Sequence, residues 1–245
     1  MKTGIRNAAR AAIIVVGAGL AAGTVAQAEV YNLNSWQGEQ ANYAYLAAAA
    51  KTAMAEGDYL KAKRLYRRAA DLGSVTALTN LGTLYARGLG VAHNDERAVS
   101  YYREAAHLGD ADAQFNLGVA YAEGAGVTQN ADTAAKWYLV SAGQGHAGAM
   151  ANLGTAYFIG RGAPQDTAKA AYLFEQAAAK GNAHGAFNLG VIYWNGDNGV
   201  QDRALAVDLI ARAAKAGHAD ALETLHIIHY QQPKLTKGVD LPIAQ

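Results

Sequence analysis

A single spacing, 36 residues, constrains this chain more than any other feature. Asn80-Leu81-Gly82 returns as Asn116-Leu117-Gly118, Asn152-Leu153-Gly154 and Asn188-Leu189-Gly190, while Tyr85 returns as Tyr121, Tyr157 and Tyr193. In the same register follow Gly88, Gly124, Gly160 and Gly196, then Asp58, Asn94, Asn130, Asp166 and Asp202, then small pairs ending at Ala70, Ala106, Ala142, Ala178 and Ala214. Gly73, Gly109, Gly145, Gly181 and Gly217 close the copies. A unit this short cannot bury an apolar face by itself, so copies held in register stack, each against its neighbours.

Within a unit the pattern is helical. Ala113, Leu117, Ala120 and Tyr121 fall at i, i+4, i+7 and i+8, one stripe of a helix turning about 100° per residue. Gly124 stops that helix in the left-handed conformation that Gly adopts cheaply. After the loop Gly126-Val127-Thr128-Gln129 comes Asn130. All five equivalents of Asn130 are Asp or Asn, whose side-chain oxygens cap the free N–H groups of a second helix. Gly145 terminates this second helix and the chain turns into the next copy.

A Gly inside each first helix costs about 1 kcal/mol relative to Ala, so the recurring Gly82, Gly118, Gly154 and Gly190 ask for compensation. The reading is a close approach by a neighbouring helix, with Tyr85 and its equivalents filling the space beside the Gly. The ends deviate as end units do: Tyr45 and Ala49 stand where later copies have Leu and Tyr, and His226 replaces the Gly in the last copy.

The order Asn-Leu-Gly-x-x-Tyr-x-x-Gly-x-Gly-Val, followed by a capped helix ending Ala-Ala-x-x-Gly, resembles the Sel-like repeat (SLR) family, relatives of the tetratricopeptide repeats. The resemblance covers residues 39–231. It implies an all-α fold: a right-handed superhelical solenoid of antiparallel helix pairs whose concave face, lined by the first helices, binds proteins or peptides. Exported bacterial members are similar to regulators and assembly factors of the cell envelope. The cysteine-rich branch of the family, with a disulfide in each repeat, includes members acting on penicillin-type compounds; this chain has no Cys.

On the helical wheel, the positions two before, two after and five after each Leu fall away from the buried stripe. They read Thr79, Thr83 and Ala86, then Phe115, Val119 and Ala122, then Ala151, Thr155 and Phe158, then Phe187, Val191 and Trp194. The wall becomes more apolar and aromatic toward the C-terminus, and Phe115, Val119, Phe158, Phe187, Val191 and Trp194 are the expected partner-binding residues. The same side chains can instead pack against the adjacent repeat or the tail 232–245. Asn80, Asn116, Asn152 and Asn188 form a ladder able to grip an extended ligand, with satisfaction of loop carbonyls in their own repeat as the favoured role.

Lys61, Lys63, Arg64, Arg67 and Arg68 crowd one N-terminal helix and offer an anionic contact, or a solvated convex face. Catalytic patterns are scarce. Gly143-Gln144-Gly145-His146-Ala147-Gly148 matches a GxGxxG string but joins two helices and follows no strand, so the dinucleotide-binding geometry is missing. His226 and His229 share a helical face, with end-cap packing favoured over metal ligation. His107, His146, His184 and His218 are expected in or near solvent-facing helix turns. No metal, cofactor or catalytic residue is assigned.

Residues 1–28 carry Lys2, Arg6 and Arg10 ahead of an uncharged Ala/Val/Ile/Gly stretch ending Ala26-Gln27-Ala28, the form of a secretory signal peptide cleaved after Ala28. Its removal, with no acid among those residues, turns a formal charge of +1 into −2. That balance leaves no electrostatic attraction for nucleic acid, and the apolar stretch is short for stable membrane insertion. The organisation expected is a signal peptide (1–28), an extended segment (29–38), the repeat domain (39–231) and a tail (232–245). The functional expectation is a periplasmic or secreted protein-binding adaptor or regulator of a cell-envelope process. An enzyme acting on cell-wall or β-lactam-type substrates, and a structural component of a secretion or motility assembly, stay open.

Overall fold

The computed structural model describes residues 36–239, and the signal-peptide segment 1–28 and residues 29–35 and 240–245 lie outside them. Among the described residues the chain forms eleven α-helices and no strand. They are α1 (Trp36–Ala55), α2 (Tyr59–Asp71), α3 (Val75–Arg87), α4 (Asp95–His107), α5 (Ala111–Glu123) and α6 (Ala131–Gly143). Then come α7 (Ala147–Ile159), α8 (Thr167–Ala179), α9 (Ala183–Asn195), α10 (Arg203–Lys215) and α11 (Ala219–Gln231). Helix α1 starts inside the 29–38 segment expected to be extended.

The helix boundaries follow the residues that the spacing singled out. Asp58, Asn94, Asn130, Asp166 and Asp202 each accept the backbone N–H three residues on, at 2.7–3.0 Å, and so start the second helix of every unit. Gly88, Gly124, Gly160 and Gly196 end first helices at φ of 64–79°, a region that costs an L-residue with a Cβ. Every helix packs on the helices before and after it in sequence, and α7 also touches α9. First helices thus come together along an inner wall, with second helices behind them.

Close approach at the helical glycines holds, but the filler is different from the one expected. A Cβ on Gly82 would lie 2.5 Å from the ring of Tyr102; on Gly118, 2.6 Å from Tyr138; on Gly154, 2.8 Å from Phe174; on Gly190, 2.8 Å from Ile210. These plugs come from the second helix of the same unit, 20 residues on. Tyr85 lies to one side of the glycine instead, stacking on Tyr101 at 5.8 Å under Arg97, both of them residues of α4. The reason is directional: a helical side chain leans toward its own preceding turn, whereas a facing helix aims a ring straight at the bare backbone. Burial confirms the weight of the plug: Phe174 is fully buried, Tyr102 and Tyr138 nearly so.

Among the described residues no twelfth helix follows α11 to close the last unit. His226 occupies the glycine position, and the turn 232–239 folds back so that Leu235 and Val239 pack on the cluster around Leu225 and Ile228. Thr236 is buried there, 2.7 Å from Nδ1 of His229, which gives His229 the end-cap role expected of it. Among the described residues no group of three or more His, Asp or Glu is placed to hold a metal.

Candidate peptide-binding surface

Along the inner wall the units leave a series of notches, each framed by two successive first helices and floored by the second helix between them. The first lies between α3 and α5, about 300 Å³, edged by Thr83 and Ala86, floored by Tyr102 and faced by Asn116, Val119 and Glu123. The second lies between α5 and α7, about 290 Å³, with Val119, Ala122, Tyr138, Asn152, Thr155 and Ile159 in the same places. The third, between α9 and α11, is about 180 Å³ and replaces them by Val191, Trp194, Ile210, Thr224, Ile227 and Gln231. Each set follows from the first by adding multiples of 36 to the residue numbers.

The floor residue is the plug of the helical glycine. Tyr102 crosses Gly82 and brings its hydroxyl to 3.4 Å from Thr83 Oγ1. Burial pushes the Tyr102 and Tyr138 hydroxyls above the usual phenol range, so both stay protonated donors near neutral pH. The Asn152 side chain stands beside Tyr138 in the second notch. The first two notches therefore present a hydroxyl and an amide, groups that donate and accept and suit a peptide backbone. The third keeps one hydroxyl, that of Thr224, among Val, Trp and Ile.

Of the six expected binding residues, Val119, Val191 and Trp194 line notches. Val119 forms the ridge shared by the first two. Phe115, Phe158 and Phe187 are half-buried, packing on the clusters between repeats. Phe115 stacks on His146 at 4.5 Å and Phe187 on His218 at 4.6 Å. Among the described tail residues, 232–239, none lines the third notch. Arg203 lies over Trp194 at 5.2 Å.

Two members of the asparagine ladder bond backbone carbonyls, with one correction. Asn80 and Asn188 donate from Nδ2 to the carbonyls of Thr76 and His184, at 2.8 and 3.0 Å, one turn back in their own helix and not in a loop. Asn116 and Asn152 face the notches. Of the histidines, His107 and His184 are exposed as expected, while His146 and His218 are half-buried helix caps, accepting the N–H groups of Ala149 and Ala221; His184 borders the second notch. The basic residues Lys61, Arg64, Arg67 and Arg68 are exposed on α2 and Lys63 is partly covered; Arg67 bonds Asp71 and the Tyr101 hydroxyl. The glycine-rich string Gly143–Gly148 links α6 to α7. No described helix is long and apolar enough to cross a membrane.

Paired helices stacked in one register, with a notch repeated along their inner wall, define an α-solenoid of the SLR type. The Sel1 repeat matches at residues 40–74, 75–110, 111–146, 147–182 and 183–218, and the chain belongs to that family. Sel1 repeats build protein-interaction scaffolds. Among solved structures, a Sel1 repeat protein from Oxalobacter formigenes is 29% identical with a TM-score of 0.73, covering 85% of this chain and 86% of that one. A protective antigen of uropathogenic Escherichia coli with an SLR fold is 31% identical with a TM-score of 0.69. That match covers 79% of this chain, which spans 43% of the antigen's length. An immunity protein from Pseudomonas aeruginosa, 19% identical with a TM-score of 0.51 over 85% of this chain and 86% of that one, shares the fold. No curated protein matches the chain.

Proposed function

We propose that this protein is an exported adaptor or regulator of a cell-envelope process, which captures a peptide or protein segment along the inner wall of its solenoid. The observation that carries the reading is the repetition of one notch at equivalent positions. A row of similar sites on rigid helices suits an extended chain, which offers side chains and backbone groups at regular intervals. Residues 1–28, with their basic start and Ala-Gln-Ala end, support export to the periplasm or beyond.

Panning a random peptide library on the mature protein, then measuring the selected peptides against variants, tests this. Val119→Asp and Trp194→Ala each weaken capture at least about tenfold, the loss expected of a contact worth more than 1 kcal/mol, while helicity is kept. Peptides that bind both variants as tightly as the parent protein sink the wall as the binding surface.

A further inference from the structure

The first helices α3, α5, α7, α9 and α11 are capped in turn by Ser74, Asp110, His146, Asn182 and His218. An oxygen at that position accepts an N–H throughout the neutral range. An imidazole accepts only while it is uncharged. We propose that the C-terminal end of the wall carries a proton-sensitive latch: His184 and His218 hold α11 in place beside α9 while both rings are neutral, and protonation releases it. The effect on partner capture rests on the function proposed above; the latch itself does not.

The bonds run in one direction. His218 Nδ1 accepts the Ala221 N–H at 3.3 Å, so its proton sits on Nε2. That Nε2 lies 3.4 Å from His184 Nδ1, which therefore accepts. The His184 proton is then on Nε2, 3.3 Å from Thr155 Oγ1, and Thr155 donates its own to the Ala151 carbonyl at 3.1 Å. Asn188 stands 3.0 Å from the same Nε2 and gives its hydrogen to the His184 carbonyl. The two rings stack at 5.7 Å, and Phe187 covers His218 on its other side. These bonds link α11 through α9 to α7, and the approach of the Asn188 amide nitrogen to His184 Nε2 is the one contact they leave unsatisfied.

An added proton sets N–H against N–H, and on His218 it also places a cation at a helix N-terminus, the end that repels it. The groups that act on His184 are His218 and Asp220, both from the start of α11, while Glu123 and Arg161 line the notch it borders. Partial desolvation, aided by His218, holds the His184 pKa below its ordinary 6.5 against the pull of Asp220. With the folded value depressed, the contribution of this group is full above 6.5 and is lost as the pH falls from there toward the lowered value. His146 supplies the contrast. It caps α7 through Nδ1 at 3.0 Å, but its Nε2 faces a carboxylate, Asp112, at 3.3 Å.

Amide hydrogen exchange of the mature protein, corrected for intrinsic rates and followed at about pH 7.5 and 5.5, reads the latch. Protection across Ala219–Gln231 falls about tenfold more than across Ala111–Glu123, whose cap is Asp110, a difference the size of one lost cap. His218→Asn, the residue that Asn182 already supplies in this register, keeps α11 protected at both pH values. Nitrogen NMR shows both rings with the proton on Nε2 at the higher pH. Equal responses of α5 and α11, a His218→Asn protein that keeps the parent's pH dependence, or a proton on Nδ1 of His218 overturns the proposal. No partner is used, so a flat response removes the latch and leaves peptide capture standing, while a protein that shows the latch but selects no wall-binding peptide does the reverse.

Discussion

The two ends of the inner wall are built on one plan and differ in chemistry. The first two notches are floored by Tyr102 and Tyr138 and faced by Asn116 and Asn152. The last is floored by Ile210 and faced by Thr224, with Trp194 where Ala86 and Ala122 stand. The volume falls from about 300 to about 180 Å³ as Trp194 fills what alanine leaves open. Geometry is set by the register, and chemistry by which residue stands at four or five positions of it. An extended partner accordingly meets hydrogen-bonding groups near the N-terminal end of the wall and an apolar seat near the C-terminal end.

Emptying the floors tests the plan most severely. Tyr138→Ala removes a plug and a floor together and destabilises by about 3–5 kcal/mol, as for other buried aromatics; Ile210→Ala costs about 2–5 kcal/mol. Urea unfolding monitored by circular dichroism measures both, and a loss under 1 kcal/mol at either position would show that the plugs do not hold the stack. Next in size, Gly118→Ala and Gly190→Ala force a methyl group against Tyr138 and Ile210. Each loses about 1–3 kcal/mol through overpacking, less the up to about 1 kcal/mol that Ala gains in a helix; unchanged thermal midpoints would rule out close approach as the reason for the glycines. Smallest, Tyr138→Phe keeps the ring and removes only the hydroxyl, a change of at most about 1 kcal/mol. It turns the second notch toward the character of the third, so peptides selected on it shift toward apolar residues at the matching position. An unchanged selection denies the hydroxyl any part in recognition.

Much of this architecture is legible in the sequence because the residues that cap and stop helices act locally. Asn130 bonds an N–H three residues away, and Gly124 stops its helix by its own φ, so a fixed spacing reveals both. The plugs escape the same reading. Tyr102, Tyr138, Phe174 and Ile210 share a register but differ in identity, and each meets a glycine on a facing helix. Matching identical residues selects Tyr85, three positions from Gly82, over Tyr102, 20 positions away. The notches were hidden for the same reason, since each draws on three helices; the helical wheel found their rims at Val119, Val191 and Trp194 and missed their floors. Histidine as a cap was also unforeseen, because its acceptor depends on which ring nitrogen holds the proton.

Tyr102, Tyr138 and Ile210 each seal a glycine and form the bottom of a notch, so in those units cohesion and selectivity meet in one residue. Insertion of a whole 36-residue length brings its own seal, cap and reading position, and the joins on either side see the surfaces they saw before. A rod of this kind acquires a longer recognition code by duplication, one letter at a time, and can then alter a letter wherever a different floor still closes the gap behind it.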